Sequence, residues 1–398
     1  MRSSRHIIDK TEKYGAANYK PKEVVIERAE GVMVYSPEGE EYFDMLSAYS
    51  ALNFGHRHPE IVEAAKKQLD KVTLTSRAFH NSVLCDFYEH LCALTNKDLV
   101  LPMNTGAEAV ETALKTARRW GADVKGVKEH SQEIIVCENN FHGRTITIIT
   151  MSTDKTARRG FGPFTPGFVK IKFGDAKALE AAISPNTVAF LVEPIQGEAG
   201  VIVPPDGYLK KVREICTLNN VLFIADEVQT GFARTGTMFA CEREHVEPDI
   251  YVLSKALGGG ILPVSAIAAN KDILGVFEPG SHGSTFGGNP LACAVAVKAM
   301  EILVRDNYPK QAEEKGAYFI EKLRAIKNED IIDIRGRGLL IGVEFNKPAA
   351  GYVKKLIANG VLAKETHENT IRFAPPIVIT YEELDKAIEK IQIAFESD

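Results

Sequence analysis

The chain has 398 residues, 45% of them hydrophobic and 25% charged, with a formal net charge of −5. That length and balance belong to a folded protein of two or three domains with an ample core. No basic stripe argues for nucleic acid, no polybasic cluster argues for an anionic membrane surface, and no apolar run approaches the ~18 residues that span a bilayer.

In chain order, the opening MRSSRHIIDKTEKYG is basic but lacks the apolar stretch of a secretory signal. Residues 31–46, GVMVYSPEGEEYFDML, read as a hairpin turning at PEGE. In LSAYSALNFGHRHP (46–59), His56 and His58 are spaced like ligands on a strand. No cysteine or carboxylate cluster accompanies them, so no metal is expected. Strand-like LVLP then leads through Asn104-Thr105-Gly106 into GAEAVETALKTARRW (106–120), where apolar or small residues at 107, 110, 114 and 117 predict a helix.

Five short runs follow: EIIVCE (133–138), VAFLVEP (188–194), VLFIADE (221–227), DIYVLS (249–254) and VSAIAA (264–269). They are continuously apolar rather than alternating, as strands covered on both faces are. A helical pattern at 207–220 leads directly into one of them. This alternation predicts an α/β fold with a mostly parallel sheet and ligands at the carboxyl ends of its strands.

The last hundred residues read as a smaller α+β unit. It has a long helix at 290–304, a hairpin over 333–345, a helix at 351–359, a strand at 370–375 and a final amphipathic helix at 380–396. The expected division is 1–45 packing with the small domain, 46–290 as the large domain and 291–398 as the small one. The six cysteines, at 85, 92, 137, 216, 241 and 293, form no C-x-x-C pair. They read as reduced thiols, and a cytoplasmic location is expected.

Chemistry concentrates at strand ends. In FIADEVQTGFARTG (223–236) an apolar run delivers Asp226 and Glu227, and a partly buried Asp226 requires a cationic partner. In PDIYVLSKALGGG (248–260) the next strand ends at Lys255, before three glycines expected to turn the chain tightly without crowding a ligand. A lysine there is either a snorkelling surface residue or a desolvated amine able to form a Schiff base. GGGILP does not fit the G-x-G-x-x-G dinucleotide fingerprint. The helix start at Gly106 exposes backbone N–H groups suited to phosphate. NNFHGRT (139–145) offers Phe141 and His142 at another strand end. One cofactor uses a lysine, a carboxylate, a phosphate site and an aromatic cover together: pyridoxal 5′-phosphate.

The motifs NTGAEAVETALKTAR, NNFHGRT, EPIQGEAGV, IADEVQTGFARTG, SKALGGGILPVSA and HGSTFGGNPLACA occur in this order. The chain thereby resembles the class III, or ω-amino acid, aminotransferases of fold type I, over nearly its whole length. Within the family, GAANYKP, LSAYSALNFGHRHP and RFAPPIVIT resemble the branch that acts on the δ-amine of ornithine. Acetylornithine and 4-aminobutyrate enzymes of the same class are the alternative, followed by an aminomutase of the same fold and then a nicotinamide-binding or non-enzymatic α/β protein.

The resemblance implies L-ornithine and 2-oxoglutarate as substrates and a homodimer with shared active sites, leaving open whether dimers pair further. It implies that Lys255 carries the cofactor aldehyde and later moves the proton, and that Asp226 holds the ring nitrogen protonated. Gln229 would reach the phenolic oxygen, with Phe141 and Val228 against the two ring faces. Gly106 and Ala107 would bind the phosphate, and Thr285 the phosphate of the neighbouring subunit's cofactor. Tyr19, Tyr49 and Arg144 would hold ornithine, and Arg372 the α-carboxylate of 2-oxoglutarate, with Glu198 pairing with Arg372 in one half-reaction and releasing it in the other.

Overall fold

The computed structural model describes residues 2–397. Its strands are β1 Arg28–Glu30, β2 Met33–Tyr35, β3 Glu41–Asp44, β4 Leu99–Met103, β5 Glu133–Cys137, β6 Phe168–Ile171, β7 Thr187–Val192 and β8 Leu222–Asp226. They continue as β9 Ile250–Leu253, β10 Ser265–Ala269, β11 Ile331–Arg337, β12 Leu340–Phe345, β13 Val361–Leu362, β14 Lys364–Thr366 and β15 Thr370–Phe373.

Seven strands form the central sheet, in the order β4-β10-β9-β8-β7-β5-β6. The pairs from β9 to β6 are parallel, and β10 runs antiparallel to both β9 and β4. The run VSAIAA thus belongs to the sheet but reverses direction. The connection 254–264 is too short for the dozen or more residues of a parallel crossover. This reversal has a consequence for function: β4, beyond β10, again points the same way as β9, so its end joins the same edge as the other parallel strands.

β6 was not anticipated from sequence. Lys170 interrupts its apolar run, and as an edge strand it needs only one neighbour.

Helices cover both faces of the sheet. On one, the helix Gly106–Asp123 buries Ala109, Val110, Ala113, Leu114, Ala117 and Trp120 against Val188, Ile224, Val252 and Ile267. Its start is fixed by a capping box: Glu108 N–H donates to Thr105 Oγ1 (3.2 Å) and Thr105 N–H to Glu108 Oε2 (2.8 Å). Close approach to the sheet requires Gly121, where a Cβ would fall 2.2 Å from Val188 Cγ1. On the other face, Leu209, Val212 and Ile215 of the helix Tyr208–Leu218 pack with Ile135, Phe190 and Phe223. Each large apolar side chain buried this way stabilises the fold by about 1.5–3 kcal/mol.

Two four-stranded sheets flank this core: β1-β2-β3-β13 and β11-β12-β15-β14. β13 pairs in parallel with β3, matching Val361 to Phe43 and Leu362 to Asp44, so an early segment and a late one share a sheet. The hairpin β2–β3, turning where Ser36 N–H meets Glu40 O, and the hairpin β11–β12 lie where the sequence pattern puts them.

Candidate active site

The ends of β5, β7, β8 and β9 deliver His142, Glu193, Asp226 and Lys255 to one cavity of about 210 Å³. Gly106 and Ala107, Phe141, Gly143, Glu198, Val228, Gln229 and Ser254 complete its wall. Burial along the four strands is nearly continuous, which forces the polar chemistry to their tips. A larger groove of about 760 Å³ runs along the distal part of the helix Gly106–Asp123, past Lys115, Arg118 and Arg119, away from this constellation.

Lys255 adopts a left-handed backbone (φ 48°), and burial lowers its amine from 10.5 to about 8, with Glu198 opposing the shift. The glycines that follow do turn the chain: Gly259 and Gly260 have φ of +58° and +74°. Their second expected duty is corrected. A Cβ would meet Ile61 at Gly259 (2.9 Å) and Leu52 at Gly260 (2.5 Å), so these glycines make room for core side chains, not for a ligand.

Asp226 is 4% exposed. Its partner is His142, whose Nδ1 lies 2.6 Å from Asp226 Oδ2, while Val228 N–H donates to Oδ1 at 3.1 Å. Neighbouring Glu227 turns the other way and accepts from Cys241 N–H (2.9 Å) inside the core. Glu193 accepts the N–H of Phe141 at 3.0 Å, and burial raises its carboxyl to about 7. Among the described residues, His142 Nε2 has no partner.

A second cluster abuts the first. Arg372, on β15 and 2% exposed, donates through Nη1 to Glu198 Oε1 (2.6 Å) and Gln229 Oε1 (3.2 Å). Gln229 in turn donates to Glu198 Oε1 at 3.2 Å. Burial works against the Glu198 carboxylate, but Arg372 and Lys255 outweigh it and hold its pKa low. Gln229 takes this position because Gly197 has no side chain: a Cβ there would lie 1.7 Å from Gln229 Oε1. Arg372 Nε is buried without a partner among the described residues, and its guanidinium stacks 5.3 Å from the Tyr49 ring. Tyr49 also accepts from Lys364 Nζ (3.1 Å) and sits in a run, Ser47 to Ser50, whose four φ values are all positive. Such backbone is strained for residues with a Cβ.

Outside lies an adjoining chamber of about 390 Å³ that shares Phe141, His142, Gly143 and Glu198 with the inner cavity. Arg144 lines it, mostly exposed, 3.8 Å from Asp154 and stacked 5.1 Å above the Phe141 ring. Two expected residues are not brought in by this chain. Tyr19 is 72% exposed, and Thr285 is exposed on a loop whose Ser284 is tethered to Asn104 (2.8 Å).

The residues present suit pyridoxal phosphate. A desolvated amine, a buried carboxylate, a half-exposed aromatic and Gly106 and Ala107, first-turn residues with free-standing backbone N–H groups, line one cavity. No carbonyl inside the helix can satisfy those N–H groups. A side chain at Gly106 would press on Val228 at 3.2 Å.

Residues 14–395 match the family Aminotransferase class-III. The chain belongs to the class III aminotransferases. Family members use pyridoxal phosphate, and so does this one. It is 61% identical to the ornithine aminotransferase of Brevibacillus brevis, over 98% of each chain, and 59% identical to that of a Geobacillus species, over 99% of each. Among solved structures, the ornithine aminotransferase of Toxoplasma gondii superposes with a TM-score of 0.98 at 44% identity, covering 99% of this chain and 95% of that one. The acetylornithine aminotransferase of Elizabethkingia anophelis reaches 0.91 at 47% identity, over 99% of each. This aminotransferase has the fold type I architecture, and no helix among its described residues is long and apolar enough to cross a membrane.

His142 as the partner of Asp226, and Glu193 beside it, are what sequence reasoning missed. Glu193 carried the same signal as Asp226, a carboxylate closing a continuously apolar strand.

Proposed function

We propose that this aminotransferase moves the δ-amino group of L-ornithine to 2-oxoglutarate, yielding glutamate 5-semialdehyde, which cyclises to pyrroline-5-carboxylate, and L-glutamate. The observation that carries the reading is the Glu198–Arg372 pair at 2.6 Å in contact with the cavity of Lys255. One pocket must accept a cationic amine end and later a dicarboxylate, and an arginine whose charge is covered or uncovered meets both demands.

When bound, pyridoxal phosphate supplies an electrophilic aldehyde and an electron-withdrawing ring. Gly106 and Ala107 would hold its phosphate, Asp226 its ring nitrogen and Gln229 its phenolic oxygen, with Phe141 and Val228 against the ring. The Lys255 amine, uncharged above about pH 8, holds the cofactor and, once displaced by substrate, takes a proton from the δ-carbon at Nζ. Tyr19, Tyr49 and Arg144 would bind the α-amino acid end of ornithine, with the outer chamber as its seat. While ornithine is bound, Glu198 neutralises Arg372. When 2-oxoglutarate arrives, Glu198 withdraws and Arg372 grips the α-carboxylate, its unpartnered Nε completing a two-point contact. The two half-reactions share one site and alternate.

The exposure of Thr285 and of Phe286, which is 55% exposed, supports a homodimer in which Thr285 reaches the neighbouring subunit's phosphate site. All six cysteines are free, which favours a cytoplasmic location. The division into 1–45, 46–290 and 291–398 is proposed with the first part belonging to the small domain, a reading supported by the pairing of β3 with β13.

The test is turnover with 2-oxoglutarate and ornithine, N-acetylornithine or 4-aminobutyrate in parallel, trapping the cyclised product. Ornithine should lead. A faster reaction with N-acetylornithine would replace this reading by the acetylornithine one.

A further inference from the structure

Asp226 is expected to present a full negative charge to a protonated ring nitrogen, yet its Oδ2 is already committed to His142 at 2.6 Å. His142 is sealed in the protein and Asp226 nearly so. Burial works against a charged imidazole, but the hydrogen bond and charge of Asp226, with Glu193 adding to them, prevail and raise the His142 pKa. A protonated His142 cancels the charge of Asp226. Something must restore it.

We propose that Glu193 is the counter-charge of His142, acting across the wall of the shared cavity and not through a direct contact, so that the buried trio Glu193, His142 and Asp226 keeps one net negative charge facing the ring nitrogen. Glu193 ends β7 beside β8, is 7% exposed, and lines the cofactor cavity with His142 and Asp226. Its Oε2 is anchored by the Phe141 N–H, so it is oriented as well as buried. The charged groups acting on it are His142, which favours its ionisation, and Asp226 and Glu198, which oppose it, while Lys255 feels its charge from the cavity side. While His142 and Asp226 together hold the proton between them, that pair is neutral, and the trio's charge is zero while Glu193 is protonated and minus one once it ionises, at about pH 7. Glu193 is a positioning residue in this scheme: it acts through His142 and Asp226.

The inference rests on the reading of Asp226 as partner of the ring nitrogen, and its test separates the two. Release of pyridoxal phosphate from the full-length holoenzyme is measured by dialysis between pH 6 and 8.5. Wild type should hold the cofactor more tightly as pH rises through 7. Glu193→Gln, which keeps the acceptor for Phe141, should lose the part of that rise centred near pH 7, leaving the part that follows the Lys255 amine near 8, and bind about tenfold more weakly at pH 8, the effect of about one pKa unit of charge interaction. His142→Gln alone should move the step above pH 7, because the imidazolium favours Glu193 ionisation. The double variant Glu193→Gln/His142→Gln should regain most of the affinity, having no imidazolium to compensate, which a purely structural role for Glu193 would not produce. If Asp226→Asn weakens binding but Glu193→Gln leaves affinity and pH profile unchanged, the counter-charge is refuted. If Asp226→Asn changes nothing, the reading of Asp226 itself falls. Should Glu193→Gln not fold, an unmoved step in His142→Gln refutes the proposal on its own.

Discussion

Replacing Glu198 by Gln tests the charge-covering role of this carboxylate most directly. The substitution keeps the shape and removes the charge. Arg372, 2% exposed, would keep its contact with Gln229 at 3.2 Å but lose its only anionic partner among the described residues, at 2.6 Å. Removing one member of a fully buried pair costs about 3–5 kcal/mol. The Glu198 side chain is 29% exposed, so a folding penalty of about 2 kcal/mol is expected, read as a drop in thermal stability. The functional effect is larger and has a sign. An uncovered unit charge about 5 Å from a substrate ammonium, at an effective dielectric of about 20, costs ~3 kcal/mol, or about a hundredfold. The half-reaction with ornithine should therefore slow by about that factor. The half-reaction with glutamate, whose α-carboxylate seeks Arg372, should be unchanged or faster. Stopped-flow absorbance of the cofactor with each amino donor alone measures the two separately. An equal loss in both halves, or no loss with ornithine, would refute the argument, because then Glu198 is not covering a charge.

Other predictions follow from the same geometry. Burial holds the Lys255 amine at about 8, below its ordinary 10.5, so its uncharged fraction in the cofactor-free chain should rise about tenfold per pH unit up to 8 and then level. The rate of covalent capture of pyridoxal phosphate should follow, and a midpoint near 10.5 would contradict the desolvated amine. Lys255→Ala should abolish ornithine turnover while cofactor still binds, and near wild-type turnover would exclude its proton-transfer role. Gly197→Ala places a methyl 1.7 Å from Gln229 Oε1 and must displace that amide. Apparent KM for 2-oxoglutarate should rise about tenfold, roughly one lost charged hydrogen bond, with little change in melting temperature. Arg234 is fully buried and donates to Asn53 Oδ1 (2.5 Å), Leu339 O (3.0 Å) and Pro375 O (2.6 Å), tying the loop after β8 to the chain just beyond Arg372. Arg234→Lys cannot reproduce that fork and should destabilise the protein by about 2–4 kcal/mol in denaturant titration.

Strand ends were legible because the physics there is local. A parallel strand buried on both faces must be continuously apolar, so the polar residues that follow such a run mark the sheet's carboxyl edge. Asp226 after LFIA and Lys255 two residues after IYVL were readable on that ground, and Glu193 after TVAFLV was readable by the same rule but passed over. The helix start at Gly106 was legible from Asn104-Thr105-Gly106 before an amphipathic pattern, and Glu108, three residues after Thr105, was a further signal that was passed over. The reversal of β10 could have been read from its short connection.

Which side chains meet could not be read from the chain. His142 reaches Asp226 across 84 positions and Arg372 reaches Glu198 across 174. Strand order, not spacing, sets both contacts. The same sequence pattern would have allowed Lys255 to be the partner of Asp226. The sheet instead inserts His142 there, and places Lys255 where Glu198 and Arg372 act on its charge. Composition, periodicity and motif order were enough to determine the layers, the cavity edge and the family. The charge on each group in the cavity was decided by burial and by neighbours far away in sequence, because desolvation and Coulomb interactions depend on distance in space.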